Sequence, residues 1–195
     1  MSNWSQITKQ IYNGVLIYSL CGVAKSIVDP INNALSAVSM FTGADSGWIN
    51  IGLILSVAII CGYIMFFLGL KSFRGEVNVE DANAVNKVYL ATIFTIIAYV
   101  VGCVPVIGFV GKIFSIVAFF LMLIGFSRLK KSETFPEKAR KGASNLFTAM
   151  ILSIVGLIFG WIPIIGGVIG AIFNIIGFIL TIAGWGKISK AEKEG

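Results

Sequence analysis

Charged positions divide the chain into long uncharged stretches. Residues 142–186 contain no Asp, Glu, Lys or Arg. A helix rises ~1.5 Å per residue and the hydrocarbon of a bilayer is ~30 Å thick, so this stretch is long enough to cross about twice and must fold back once. The reversal is marked by Gly160-Trp161-Ile162-Pro163-Ile164-Ile165-Gly166-Gly167, because proline cannot continue a helical ladder and glycine permits the turn. Spans are expected at 145–161 and 165–186. Residues 88–127 carry one charge, Lys112, and break at Gly102-Cys103-Val104-Pro105-Val106-Ile107-Gly108, which gives spans at 87–103 and 107–127. The uncharged residues 46–70 give another at 50–70. Within hydrocarbon a helix satisfies every backbone N–H and C=O inside its own segment, so all five are expected to be helical.

The N-terminal fifth is more polar. Residues 11–28 hold Val15, Leu16, Ile17, Leu20 and Val23, but also Asn13 and Lys25, and read as a weak sixth span. Residues 31–47 alternate Asn32, Asn33, Ser36, Ser39 and Thr42 with Leu35, Val38 and Phe41, the pattern of an interfacial or partly inserted amphipathic helix. A seventh, polar span is the alternative there. Gly22-Val23-Ala24 resembles a signal-peptide cleavage site, but the residues before it carry only Lys9 as a basic residue, so the first segment is expected to be retained.

Two hairpins repeat. Pro105 and Pro163 stand 58 apart, as do Ala98 and Gly156, Gly102 and Gly160, and Gly108 and Gly166. Beyond the turn an offset of 59 pairs Phe114 with Phe173, Phe119 with Phe178, Leu121 with Leu180 and Gly125 with Gly184. A third, degenerate copy at an offset of 56 matches Gly52 to Gly108 and Gly69 to Gly125, placing its first half on residues 31–47. Such units rely on their neighbours for burial. The expectation is an all-α polytopic bundle of about six spans, one transmembrane domain over residues 1–195. Its N-terminal part, 1–75, is divergent, and hairpin repeats follow at 84–131 and 142–190 with Pro-Gly outer turns. Because each hairpin holds two spans, successive copies enter from the same side, unlike the inverted repeats of many transporters.

Composition agrees with this reading and narrows function. The chain of 195 residues is 57% apolar and 12% charged, with a mean hydropathy of +0.92, against about 25% charged for a soluble domain. There is no histidine, so a Ser–His nucleophile cannot be assembled. The five clear spans hold no Asp or Glu, which removes an intramembrane aspartyl dyad, and metal ligands are lacking. No catalytic, cofactor-binding or metal residue is expected. Cys21, Cys61 and Cys103 read as small buried apolar residues. Lys25 and Lys112 are close enough to span ends for their amines to reach the headgroups.

All fifteen Lys and Arg except Lys9, Lys25 and Lys112 fall in 71–87, 128–141 and the tail from 187. The positive-inside rule makes that side, and both termini, cytoplasmic, by default in a bacterial inner membrane. Trp4 and Trp185 then mark the inner interface and Trp48 and Trp161 the outer one. Thr134 is a candidate cap and Pro136 an early helical residue of a short inner collar. The basic loops suit anionic lipid rather than nucleic acid.

Small residues at four-residue spacing, Gly156 with Gly160, Gly166 with Gly170, and Gly102 with Ala98, are candidate helix-packing positions. Asn32, Asn33, Ser36, Ser39 and Asn174 form a candidate polar path, Asn174 standing where the other hairpin has Ser115. Three functions fit: a non-catalytic scaffold or accessory subunit that self-associates or binds a membrane partner; a passive pore or small-solute channel formed by an oligomer; or a lipid-binding protein using the basic collar. In a cysteine-free background, Ser39→Cys is expected to react with an impermeant thiol reagent on intact cells and Lys131→Cys only after permeabilisation; labelling of both from the same side would overturn the topology.

Overall fold

The computed structural model describes residues 3–42, 49–102, 108–160, 162 and 165–192, with side-chain surroundings for these apart from 35–42, 49, 50, 102, 108, 160 and 165–167. It is all-α among the described residues: α1 (Asn3–Thr42), α2 (Ile49–Glu76), α3 (Val79–Gly102), α4 (Gly108–Leu129), α5 (Glu137–Gly160) and α6 (Ile165–Ser189). All six are long and apolar enough to cross a membrane. The chain is a multi-pass integral membrane protein. The turns carrying Pro105 and Pro163, with Trp48, Cys103 and Trp161, lie outside the described residues.

The helix ends follow local chemistry. Acidic residues occupy the first turns of α3 (Glu80, Asp81) and α5 (Glu137), and Arg74, Arg128 and Lys187 the last turns of α2, α4 and α6. Each charge opposes the partial charge of its helix terminus. The Pro136 carbonyl accepts the Arg140 N–H at 2.8 Å, which opens α5. Thr134 is not the cap expected of it; its hydroxyl donates across the structure to Asp81 Oδ2 at 2.9 Å.

The weak span at 11–28 and the amphipathic segment at 31–47 are not separate elements. One helix of 40 residues runs through Pro30 to Thr42. At ~1.5 Å per residue it is about twice as long as the hydrocarbon is thick, so its far part must project beyond the bilayer core. Along this helix Lys25 Nζ and Asp29 Oδ1 pair at 2.9 Å, which neutralises Lys25 locally.

The helices pack as three hairpins, α1 with α2, α3 with α4 and α5 with α6. Lighter seams join α2 to α3, α4 to α5 and α6 back to α1, so the three pairs close a ring. Within each pair a glycine brings two backbones together. A methyl group on Gly62 would stand 2.6 Å from Tyr18 N and 2.9 Å from Gly14 O, and one on Gly142 would stand 2.5 Å from Gly184 O. A further contact recurs in all three pairs: Gly69 lies against Ile11, Gly125 against Val88 and Gly184 against Leu146. The α1 surface that meets Gly62 and Gly69 is thus the stretch from Ile11 to Tyr18, not residues 31–47.

Buried residues concentrate where the basic loops lie. Trp4, Ile11 and Val15 of α1, Phe66, Leu70 and Phe73 of α2, Val85 and Val88 of α3, Phe126 of α4, Leu146 of α5, and Trp185 and Ile188 of α6 form one cluster. Among the described residues, rings touch between pairs at this end: Phe67 with Tyr89, Phe66 with Trp185, Phe126 with Trp185, and Phe135 with both Trp4 and Phe73. Farther out, ring contacts stay within a pair, as for Phe94 with Phe114 and Phe159 with Phe173. The ring contacts between hairpins gather at this end, while at mid-span Tyr63 of α2 hydrogen-bonds Thr95 of α3. Gly62→Ala is expected to cost about 2 kcal/mol through overpacking, roughly a 4–8 °C fall in detergent-solubilised Tm; Gly75→Ala, with nothing within 4 Å of the added carbon, is expected to leave Tm unchanged or slightly raised.

Candidate functional site

Two regions carry polar chemistry: the joined end and the outer halves of the helices. At the joined end the seams pair cations with rings. Arg74 donates to Asn86 Oδ1 at 2.7 Å and lies 5.1 Å from the centre of the Tyr89 ring across the α2–α3 seam. Lys130 Nζ stands 3.4 Å over the Phe147 ring across the α4–α5 seam. At the α6–α1 seam the Tyr12 ring approaches within 3.4 Å of where a Gly186 methyl would be. A cation over a ring face contributes ~0.5–2 kcal/mol depending on desolvation, so part of the basic charge acts in holding the pairs together. Between the seams, Phe66, Phe126 and Trp185, from α2, α4 and α6, meet as edge-to-face rings with centres 5.5 and 6.0 Å apart. Trp185 is only 4% exposed, so this end is filled by hydrocarbon.

The outer halves are open. On α6, Val168, Ile172, Ile175, Ile176 and Ile179 are exposed, and so is Asn174 among them. On α4, Phe109, Ile113, Ile116, Val117 and Phe120 are exposed, together with Lys112 and Ser115. Ser115 returns its hydroxyl proton to the Gly111 carbonyl at 3.1 Å, a common way for serine to meet its hydrogen-bonding need inside a helix. Asn174 is the stronger polar group, with a carbonyl oxygen and two N–H donors to satisfy.

The expected site residues distribute as follows. Gly156 is buried and faces α6, where its added methyl would meet Phe173 Cβ at 3.4 Å and the Gly170 carbonyl at 3.6 Å; Gly170 is buried as well. Gly102 and Gly160 end α3 and α5, and Gly166 lies in the first turn of α6, but their surroundings are outside the described residues. Asn32 sits on α1 over Gly52 of α2, and Asn33 is exposed. The side chains of Ser36 and Ser39 are outside the described set. Asn174 belongs to a different hairpin from Asn32 and Asn33, so these residues do not line one surface of a single pair. Cys61 is exposed and Cys21 half-buried, which corrects the expectation that both are buried.

Sequence reading missed the glycines that matter most. The closest approaches are made not by small residues four apart on one helix but by Gly14 facing Gly62 and Gly142 facing Gly184, one on each helix. The recurrence of Gly69, Gly125 and Gly184 before an inner loop was the available signal. Among the described residues no group of His, Cys, Asp or Glu could hold a metal ion. No family model, curated protein or solved structure matches the chain.

Proposed function

We propose that the chain is a non-catalytic membrane scaffold that associates, through the open outer halves of its hairpins, with a second membrane-embedded helix, supplied by another copy or by a partner protein. The observation that carries this reading is Asn174, an exposed carboxamide midway along α6 and flanked by exposed isoleucines. Lipid tails offer it no hydrogen bond, so a polar group at that depth favours contact with another helix, typically by ~1–2 kcal/mol. The absence of histidine and of carboxylates from the middle of the spans supports a role without catalysis.

The three hairpins are, on this reading, copies of one unit, and the first copy uses the N-terminal half of α1. Buried Trp4, Ile7, Thr8, Ile11 and Val15 fall 77 positions before buried Asp81, Ala84, Val85, Val88 and Thr92, and α3 precedes α5 by 58. Since α2 precedes α4 by 56, the first copy carries an insertion of about 21 residues near its outer turn, the stretch containing Asn32, Asn33, Ser36 and Ser39. The basic end faces the cytoplasm and the insertion faces outward. A pore through one copy is disfavoured by the Phe66, Phe126 and Trp185 rings; a polar path would have to run between copies.

Association in nanodiscs, followed by single-molecule photobleaching over a range of protein-to-lipid ratios, tests the proposal. The native chain is expected to form dimers or larger assemblies, or to retain a membrane partner on purification. Asn174→Leu is expected to weaken that association about tenfold. A native chain that stays monomeric and partner-free at every ratio, or an Asn174→Leu variant that associates as well as the native chain, would overturn it.

A further inference from the structure

The three seams between hairpins differ in how they use their basic residues. Across α2–α3, Arg74 donates to Asn86 and lies against the Tyr89 ring; across α4–α5, Lys130 lies over the Phe147 ring. The α6–α1 seam joins the first and last helices of the chain, and its two cations do neither. The contact there is Tyr12 against Gly186, whose added methyl would stand 3.4 Å from the ring. Lys9 precedes Tyr12 and Lys190 follows Gly186, each by about one turn toward the basic end, since α1 starts at that end and α6 finishes there. Both lysines are exposed. Among the described residues neither joins an ion pair or lies over a ring.

Helical register puts the two lysines on the same side of the seam. On α1 the buried face runs through Trp4, Ile11 and Val15, while Lys9, Asn13 and Leu20 are exposed beyond Tyr12. On α6 Trp185 and Ile188 are buried, and Ile176, Ile179 and Lys190 are exposed beyond Gly186. At 3.6 residues per turn Lys9 lies roughly 60° and Lys190 roughly 40° from the seam contact, both turned away from the buried cluster. Two ammonium groups flanking one seam repel each other, and an anion between them turns that repulsion into attraction. One turn farther out stands Asn13, with two N–H donors, and beyond it only the apolar stripe of Leu20, Ile179 and Ile176. Cations, then an amide, then hydrocarbon is the order of a phospholipid's phosphate, ester and acyl chain. We infer that this face of the α6–α1 seam binds one anionic phospholipid from the leaflet at the basic end. The phosphate sits between Lys9 and Lys190, a glycerol ester carbonyl accepts from Asn13, and an acyl chain runs along Leu20 and Ile179. Basic sites between membrane helices suit such headgroups. The lipid bridges the two ends of the chain and closes the ring, where the other two seams rely on their own cations.

Native mass spectrometry of the full-length protein, released from phosphatidylcholine nanodiscs containing a minority of phosphatidylglycerol, tests this. One phosphatidylglycerol per chain is expected to be retained well above its share of the bilayer. Lys9→Gln and Lys190→Gln are each expected to lower that enrichment about fivefold. Lys131→Gln, exposed in the α4–α5 connection, is the control and is expected to leave it unchanged. Added phosphatidylglycerol is expected to raise the Tm of the native chain in detergent, but not that of the variant lacking both lysines. Glycerophosphoglycerol, the same headgroup without acyl chains, is expected not to displace the lipid. The inference is overturned by a native chain with no preference for phosphatidylglycerol, by an equal loss in Lys131→Gln, by undiminished enrichment in the double variant, or by displacement with glycerophosphoglycerol.

Discussion

Inside hydrocarbon an isoleucine gains nothing by leaving lipid for protein, so apolar helices of this kind are held together only by contacts closer than lipid can make. Glycine supplies that closeness here. At Gly14 with Gly62 and at Gly142 with Gly184 the backbones approach until a methyl group would collide with a carbonyl or an amide. The same device, a glycine of α2, α4 or α6 against Ile11, Val88 or Leu146, appears once in each hairpin. Everything else in the architecture follows from where those contacts are, and where they stop.

They make three firm hairpins, and a second set of contacts joins the hairpins at one end. That set is chemically different. It uses rings against rings around Trp185 and cations over rings at Tyr89 and Phe147, together with the Thr134–Asp81 bond between the α4–α5 connection and α3. Aromatic and amphipathic groups of this sort work best at the water interface, where one end of a side chain is dry and the other wet. Glycine seams thus hold each hairpin, while the aromatic and cation–ring contacts between hairpins gather at the basic end, with Tyr63 bonded to Thr95 across the α2–α3 seam farther out. The outer halves are left with Asn174 and a surface of exposed isoleucine and phenylalanine, which is the basis for proposing that the chain serves as a scaffold.

Much of the fold was legible because charge and length suffice for it. Uncharged stretches between Lys71, Lys87, Arg128 and Lys141 locate α2 to α6, but α2 runs on to Glu76 and α3 and α5 begin at Val79 and Glu137, about two turns earlier than the uncharged stretches suggest. The N-terminal segment was not legible in the same way. Asn13, Lys25 and Asp29 interrupt its hydropathy, yet one helix runs unbroken through Pro30 to Thr42. In the repeat proposed above, the buried stripe from Trp4 to Val15, rather than the polar stretch after Asp29, is the counterpart of α3. The Thr134–Asp81 bond was invisible in the sequence, because the two residues are distant along the chain and ordinary in their local settings.

The hairpins are joined most firmly at the basic end, and the contacts between α4 and α6 beyond it are expected to be looser. Pairs of spin labels between α4 and α6, in a cysteine-free background reconstituted in lipid, measure this directly by pulsed electron resonance. Labels at Arg128 and Lys190 are expected to give a single narrow distance distribution, and labels at Phe109 and Val168 a longer and broader one. Equally narrow distributions at both levels, with the outer pair as close as the inner, would contradict the account.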